Sequence, residues 1–232
     1  MPTSWKKALD SYSYPVNLGD YKRASEFPDF FKRKISGNRK STIEFEDYYR
    51  KNAPHRVEVF FEVMYWKLYS LPSKRDRQTE TLIRQIRERE VTPDKLWESI
   101  QRFVENPSKT NLEEIREKLG LSSRVLAVPL TFVAFADPQR FPMIDTHVAR
   151  WVNSNCASHN VNRKNKLSPF TTLKKYTSLQ DNDFPNYLNW VNWCREAAEV
   201  LTELTGEKWR ARDVEMAVFT AQRNKMELNV LP

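Results

Sequence analysis

Residues 119–152 read LGLSSRVLAVPLTFVAFADPQRFPMIDTHVARWV, and this stretch carries most of the information about the fold. Gly120 stands where a helix C-terminus favours a left-handed residue. The apolar run 125–135 predicts the next helix, with Pro129 either in its first turn or at a kink. Two proline turns follow, and Asp145 then caps a further helix. We therefore predict a helix, a turn, a buried helix, an extended turn and another helix.

The sequence on either side of this stretch also has helical periodicity. Residues 55–71 are apolar nearly all round, which predicts a central buried helix, whereas 79–90 has the narrow apolar stripe of a surface helix. The predicted class is therefore all-α. The remaining predicted helices begin at Pro93 after an N-cap at Thr92, begin near Asn111, run from Asn186 to Thr205 before Gly206, and begin at Asp213 as an N-cap.

Two segments lack this periodicity. Residues 1–54 mix aromatic side chains with lysine and arginine, which suits either base stacking or an arm packed across the helical body, and we favour packing. Residues 153–185 are polar and basic, and we interpret them as a surface loop or insertion. The predicted organisation is one helical unit, 1–232, made of this arm, a core at 55–152, the basic polar loop, and C-terminal helices at 186–232.

Composition limits the function classes. Lysine and arginine total 38 and aspartate and glutamate 30, which gives a formal net charge of +8 and favours a polyanionic partner such as nucleic acid. Two cysteines do not make a disulfide scaffold. No apolar run approaches the ~18 residues of a membrane span, and the first residues lack the apolar run of a signal peptide. We expect a protein without membrane contact, located in the nucleus or in the cytoplasm beside the nucleoid.

The segment from Leu119 to Arg124, the apolar helix after it, and residues 141–150 resemble the core of the helix-hairpin-helix DNA glycosylase superfamily. These base-excision enzymes include endonuclease III and the 8-oxoguanine glycosylases. In the superfamily a glycine-containing hairpin grips DNA phosphates through backbone N–H groups, and a proline turn leads to an aspartate that heads the next helix. Asp145 matches that aspartate. The resemblance covers roughly residues 55–152 and implies a two-lobed helical bundle with a central cleft.

The resemblance implies that Asp145 is the catalytic residue. A carboxylate in a dry cleft stabilises the positive charge that develops on the sugar, or orients a water for attack. An aspartate before an apolar-periodic run is equally a good N-cap, which is the structural alternative. The implied partner is duplex DNA with a damaged base extruded near Asp145. The expected DNA contacts are Gly120, Ser122, Ser123, Arg124 and His147 near the hairpin, and Arg163, Lys164 and Lys166 in the basic loop.

Three departures from the superfamily restrict this prediction. Gly120 is the one glycine of the hairpin, with Ser122 at the place of a second. No lysine lies between Lys118 and Asp145, and the arginine there, Arg124, is not a nucleophile, so no Schiff-base lyase step is expected. Two cysteines cannot hold a four-cysteine iron–sulfur cluster. We predict a monomeric, monofunctional DNA N-glycosylase without a cofactor; the alternatives are a catalytically inactive DNA-binding protein on this fold and a helical protein–protein scaffold.

Other candidate sites are weaker. Glu58 and Glu62 lie one turn apart and either line a pocket or are partly exposed, and their spacing favours exposure. His147, Cys156 and His159 lack a clear fourth ligand, so no zinc site is predicted. We expect both cysteines to be small buried residues. A cation held by hairpin carbonyls, as in some superfamily members, stays open because it has no side-chain signature.

Overall fold

The computed structural model describes residues 3–121, 124–172 and 179–232. Within these ranges the chain forms ten α-helices and one pair of two-residue strands, which confirms the all-α class. The glycosylase-like bundle with a central cleft stays a prediction. In chain order the elements are α1 (Thr3–Asp10), β1 (Val16–Asn17), β2 (Lys34–Ile35), α2 (Arg39–Asn52), α3 (Glu58–Lys67), α4 (Pro72–Glu88), α5 (Pro93–Glu105), α6 (Lys109–Lys118), α7 (Ala127–Ala136), α8 (Thr146–His159), α9 (Phe184–Thr205) and α10 (Ala211–Asn224).

The chain divides into two compact units. The first unit comprises Met1–Ser13, Arg124–Leu130 and Asp137–Pro232. In it, α10 packs against α1, α8 and α9. An aromatic cluster forms part of its core, where the imidazole of His159 lies 4.8 Å from the ring of Trp151, centroid to centroid. Trp5 and Trp193 complete this cluster, and the Trp5 indole N–H donates to the carbonyl of Asn229 at 2.8 Å. The C-terminal residues are thereby attached to α1.

The second unit comprises Tyr14–Ser123 and Thr131–Ala136. Helix α3 is buried on all sides, which confirms the predicted central helix. Its Phe60 packs on Tyr49 of α2 and on Phe132 at the end of α7. The two short strands were not predicted; they pair in antiparallel register, with Val16 opposite Ile35. Two residues per strand are too few for sequence periodicity to detect.

Helix ends were predicted with mixed success. Gly206 ends α9 in the left-handed conformation, at φ +70°, as predicted. The start predicted for α6 is wrong, because Ser108 rather than Asn111 is the N-cap, and the Ser108 hydroxyl accepts the Asn111 N–H at 3.2 Å. Asp213 is likewise not the N-cap of α10. It lies in the first turn and accepts the backbone N–H of Arg210, the actual N-cap, at 3.0 Å.

The two segments without helical periodicity are now explained. Most aromatic side chains of residues 1–54 are buried, which confirms packing rather than exposed stacking surfaces. The loop predicted for 153–185 begins too early, because α8 continues to His159, and its side chains are not all at the surface, since Leu167 and Phe170 are buried. Among the described helices none is both long enough and apolar enough to cross a membrane.

Candidate functional site at Asp145

The backbone that leads to Asp145 is fixed by two aromatic side chains of α9. Residues 141–144 are buried without regular structure. The Tyr187 hydroxyl donates to the carbonyl of Pro142 at 3.2 Å, and the Trp190 indole N–H donates to the carbonyl of Met143 at 3.0 Å. These two positions were predicted only as part of an apolar helix face. Buried tyrosine and tryptophan usually find a hydrogen-bond partner, and that was the signal available in the sequence.

Asp145 is the N-cap of α8, as predicted. Its backbone is extended, at φ −142° and ψ −176°, and its Oδ1 accepts the backbone N–H of Val148 at 2.8 Å. Its second carboxylate oxygen, Oδ2, makes no hydrogen bond or ion pair to any residue in the described ranges. The side chain is half-buried. One oxygen thus caps the helix while the other is available for chemistry.

Two further predicted contact residues are placed in the same unit. Arg124 is exposed, and its guanidinium has no ion pair among the described residues. Its carbonyl accepts the Asp181 N–H at 3.1 Å, and the adjacent Val125 forms a bridge with Gln180. His147 is half-buried, and its ring meets Phe219 edge to face at 5.7 Å. Arg124 therefore presents a free cation on an anchored backbone, whereas His147 packs against α10.

The turn at Gly120 has the predicted conformation. Gly120 adopts φ +64°, its N–H donates to the carbonyl of Glu117 at 3.0 Å, and the Leu121 N–H donates to that of Arg116 at 2.9 Å. Both N–H groups thus satisfy the last carbonyls of α6 in a Schellman motif. Phosphate binding by Gly120 stays a prediction, and Ser122 and Ser123, predicted to bind with it, lie outside the described residues, as do the hairpin carbonyls that would hold a cation there.

The three cations of the basic loop, residues 163–166, have different environments. Lys164 and Lys166 are exposed, although the Lys166 ammonium also donates to the carbonyl of Asn160 at 2.5 Å. The side chain of Arg163 is only 1% exposed; its Nε lies 3.4 Å from Oε1 of Glu196. Burial lowers the pKa of this guanidinium, which nevertheless remains charged. Arg163 therefore holds the loop on α9, and Lys164 and Lys166 are the cations that face solvent.

Helix α9 carries both the Asp145 turn and the basic loop. Trp190 contacts the turn, and Glu196 accepts the backbone N–H groups of Lys164 and Asn165 at 3.2 and 2.8 Å. Six residues of helix separate Trp190 from Glu196, an axial distance of ~9 Å. The candidate catalytic carboxylate and the exposed lysines are thus attached to one rigid element.

The other candidate residues are distributed as follows. Partial exposure is confirmed for Glu58 and wrong for Glu62, which is 1% exposed. Cys194 is buried and Cys156 half-buried, and both are free thiols. No group of three His, Cys, Asp or Glu side chains in the described ranges is arranged to hold a metal ion. Comparisons with family models, curated proteins and solved structures found no match to this chain.

Proposed function

We propose that this chain is a monofunctional DNA N-glycosylase, which binds duplex DNA and hydrolyses the bond between a damaged base and its sugar at Asp145. The observation that carries the proposal is the divided role of the Asp145 carboxylate. Oδ1 is fixed by the Val148 N–H, so the orientation of the group is set, while Oδ2 has no partner among the described residues. A preoriented carboxylate costs little reorganisation when positive charge develops beside it.

In the proposed reaction, the bond between the base nitrogen and C1′ of the sugar breaks and the base leaves with the bonding electron pair. Positive charge develops on the sugar ring as it leaves, and the free Asp145 oxygen either stabilises that charge or accepts a proton from the attacking water. The water oxygen bonds to C1′, and the proton it loses balances the one the departing base takes up. The products are a free base and an abasic sugar, with the strand intact.

DNA affinity in this proposal comes from cations of the first unit. Arg124, Lys164 and Lys166 are exposed and Arg163 is buried in an ion pair, so we assign phosphate contacts to the first three. Each neutralised phosphate releases condensed counterions, which makes affinity fall with salt. The net charge of +8 supports the same partner class.

The test is a panel of duplexes, each with one modified base, incubated with the protein and then treated with hot alkali. Strand cleavage that appears only after alkali is expected for at least one lesion. Asp145→Asn should abolish release while the amide oxygen keeps the helix cap. Asp94→Asn, an equal charge change in the first turn of α5, serves as the matched control and should retain activity.

Two outcomes would replace this proposal. Salt-dependent DNA binding without release of any base would favour a catalytically inactive DNA-binding protein, consistent with the engagement of Oδ1 and of the Gly120 N–H in helix caps. Absence of salt-dependent DNA affinity would favour the helical protein–protein scaffold. Full activity in folded Asp145→Asn would reduce that carboxylate to a capping group.

A further inference from the structure

Three consecutive cations, Lys32, Arg33 and Lys34, are exposed on the second unit. No carboxylate in the described ranges forms an ion pair with either lysine. Other cations of the same unit are already paired, such as Lys22 with Glu80 at 3.0 Å. An incoming polyanion can neutralise this tract, residues 32–34, without first breaking an existing ion pair.

Both ends of the tract are anchored in the core of the second unit. Phe31 precedes it, with its side chain buried and its backbone in the left-handed region at φ +56°. The Phe31 N–H donates to Oε1 of Glu62 at 2.7 Å, inside the unit. On the other side, Ile35 is buried and lies opposite Val16 in the strand pair. A segment fixed at both ends loses little conformational entropy when it binds.

The middle cation is oriented by an aromatic ring. The guanidinium carbon of Arg33 lies 3.6 Å from the centroid of the Tyr48 ring. Stacking engages the face of a guanidinium and leaves its in-plane N–H groups, which match the oxygens of a phosphate. The Arg33 carbonyl also accepts the Leu18 N–H at 2.9 Å, so the backbone there is fixed as well.

We propose that Lys32, Arg33 and Lys34 bind the phosphate backbone of DNA and that Glu62 is the positioning residue for this tract. The inference rests on the proposed DNA binding and adds a contact surface distinct from the basic loop. An extended chain rises about 3.3 Å per residue, and one DNA strand carries a phosphate about every 3.4 Å along the helix axis. A linear array of anions at this spacing is a property of nucleic acid and not of a membrane surface.

The first experiment compares two triple variants with equal net charge. The probe is an undamaged 20-base-pair duplex, titrated in ~50 to 200 mM KCl. The tract variant should lower the slope of log affinity against log salt by about 0.9 for each lost contact, up to three contacts, whereas the control should change it by less than one contact. The tract variant carries Lys32→Gln, Arg33→Gln and Lys34→Gln. The control carries Lys51→Gln, Lys74→Gln and Lys95→Gln, which are exposed and dispersed over α2, α4 and α5.

The second experiment separates positioning from charge. Glu62→Gln retains an oxygen that can accept the Phe31 N–H, whereas Glu62→Met removes it at similar size. Glu62→Met should speed hydrogen exchange of the Phe31 amide and weaken binding per folded molecule about two- to tenfold, with the salt slope unchanged because all three cations remain. Glu62→Gln should match the wild type in both measurements. A merely structural role would leave the affinity of the folded fraction unaltered.

Equal effects of the tract and control variants on the salt slope would overturn the inference, because net charge alone would then explain binding. So would tract-dependent capture of phosphatidylserine vesicles with unchanged duplex binding, which would assign the tract to a membrane. These failures are distinguishable from failure of the proposed function. If the wild type releases a damaged base and the tract variant binds duplex as the wild type does, the glycosylase proposal stands and this inference falls.

Discussion

The carboxylate of Glu62 accepts a 2.7 Å hydrogen bond from the backbone N–H of Phe31, a residue in the left-handed conformation at φ +56°. Left-handed backbone is uncommon for a bulky residue and is retained where surrounding contacts determine it. The Phe31 ring supplies such contacts, lying 4.5 Å from that of Tyr21. A buried carboxylate thus participates in a structural hydrogen bond while its own charge is poorly solvated.

Burial raises the pKa of Glu62 to about 7, although the Phe31 N–H, Tyr48 and Arg33 act in the opposite direction. Between the ordinary value of 4.5 and about 7, the folded protein holds a proton that the unfolded chain releases. Stability therefore falls as pH rises through this window, by about 3 kcal/mol at most. Glu62→Gln should remove this loss, so it should unfold at higher urea than the wild type at pH 8 and at similar urea at pH 5.

The control for this prediction is Glu58→Gln, one turn away on α3 and half-buried, which should leave the pH dependence unchanged. His159 contributes a pH dependence of opposite sign, because burial lowers its pKa and stability from this group is lost as pH falls. That contribution is present in wild type and variant alike and cancels in their difference. Parallel curves for wild type and Glu62→Gln from pH 5 to 8 would contradict the prediction.

Local sequence predicted what local chemistry determines. The N-cap at Asp145, the glycine after α9 and the apolar character of α3 follow from residues within one or two turns. The burial of Glu62 and of Arg163 did not follow, because Phe31 and Glu196, their partners, are 31 and 33 positions away in the chain. Sequence spacing classifies charged residues as exposed by default, and it fails where a distant partner makes burial affordable.

Gly120 and Gly206 form a natural pair for separating backbone strain from steric conflict. Both adopt left-handed conformations, at φ +64° and +70°. A Cβ at Gly206 would meet nothing within 4 Å, whereas a Cβ at Gly120 would lie 2.6 Å from the Cβ of Gln85. Gly206→Ala should cost about 1 kcal/mol of unfolding free energy, and Gly120→Ala about 1 to 3 kcal/mol more through overpacking. Urea unfolding of both variants tests this, and equal costs would show that α4 yields without penalty.

Arg163 and the lysines after it should separate stability from DNA binding. Arg163→Gln breaks a buried ion pair and should lower the unfolding free energy by about 1 to 3 kcal/mol, below the range for fully buried pairs because Glu196 is 21% exposed. Its DNA salt slope should equal that of the wild type. The double variant Lys164→Gln with Lys166→Gln should reverse the pattern, with stability kept and the slope lowered by about 0.9 per lost contact. A lowered slope in Arg163→Gln would show that this arginine leaves Glu196 to meet DNA.

The final prediction concerns the chemistry that the proposed enzyme lacks. Borohydride present during incubation with abasic or damaged DNA should trap no covalent adduct. Trapping reports an imine, and an imine requires an amine that loses its proton within bonding reach of the opened sugar. No lysine lies between Lys118 and Asp145, and Arg124 cannot replace one because its guanidinium stays protonated.

The lysines nearest in sequence are engaged elsewhere. The Lys118 ammonium is 2.6 Å from a carboxylate oxygen of Glu114, and that of Lys166 donates to a backbone carbonyl at 2.5 Å. Each would have to leave its partner before attacking a sugar. Gel analysis of borohydride-treated mixtures, with a bifunctional glycosylase as positive control, measures the adduct directly. An efficient adduct mapped by peptide mass to either lysine would overturn the monofunctional assignment, because the strand would then be open to cleavage by elimination rather than left intact after base hydrolysis.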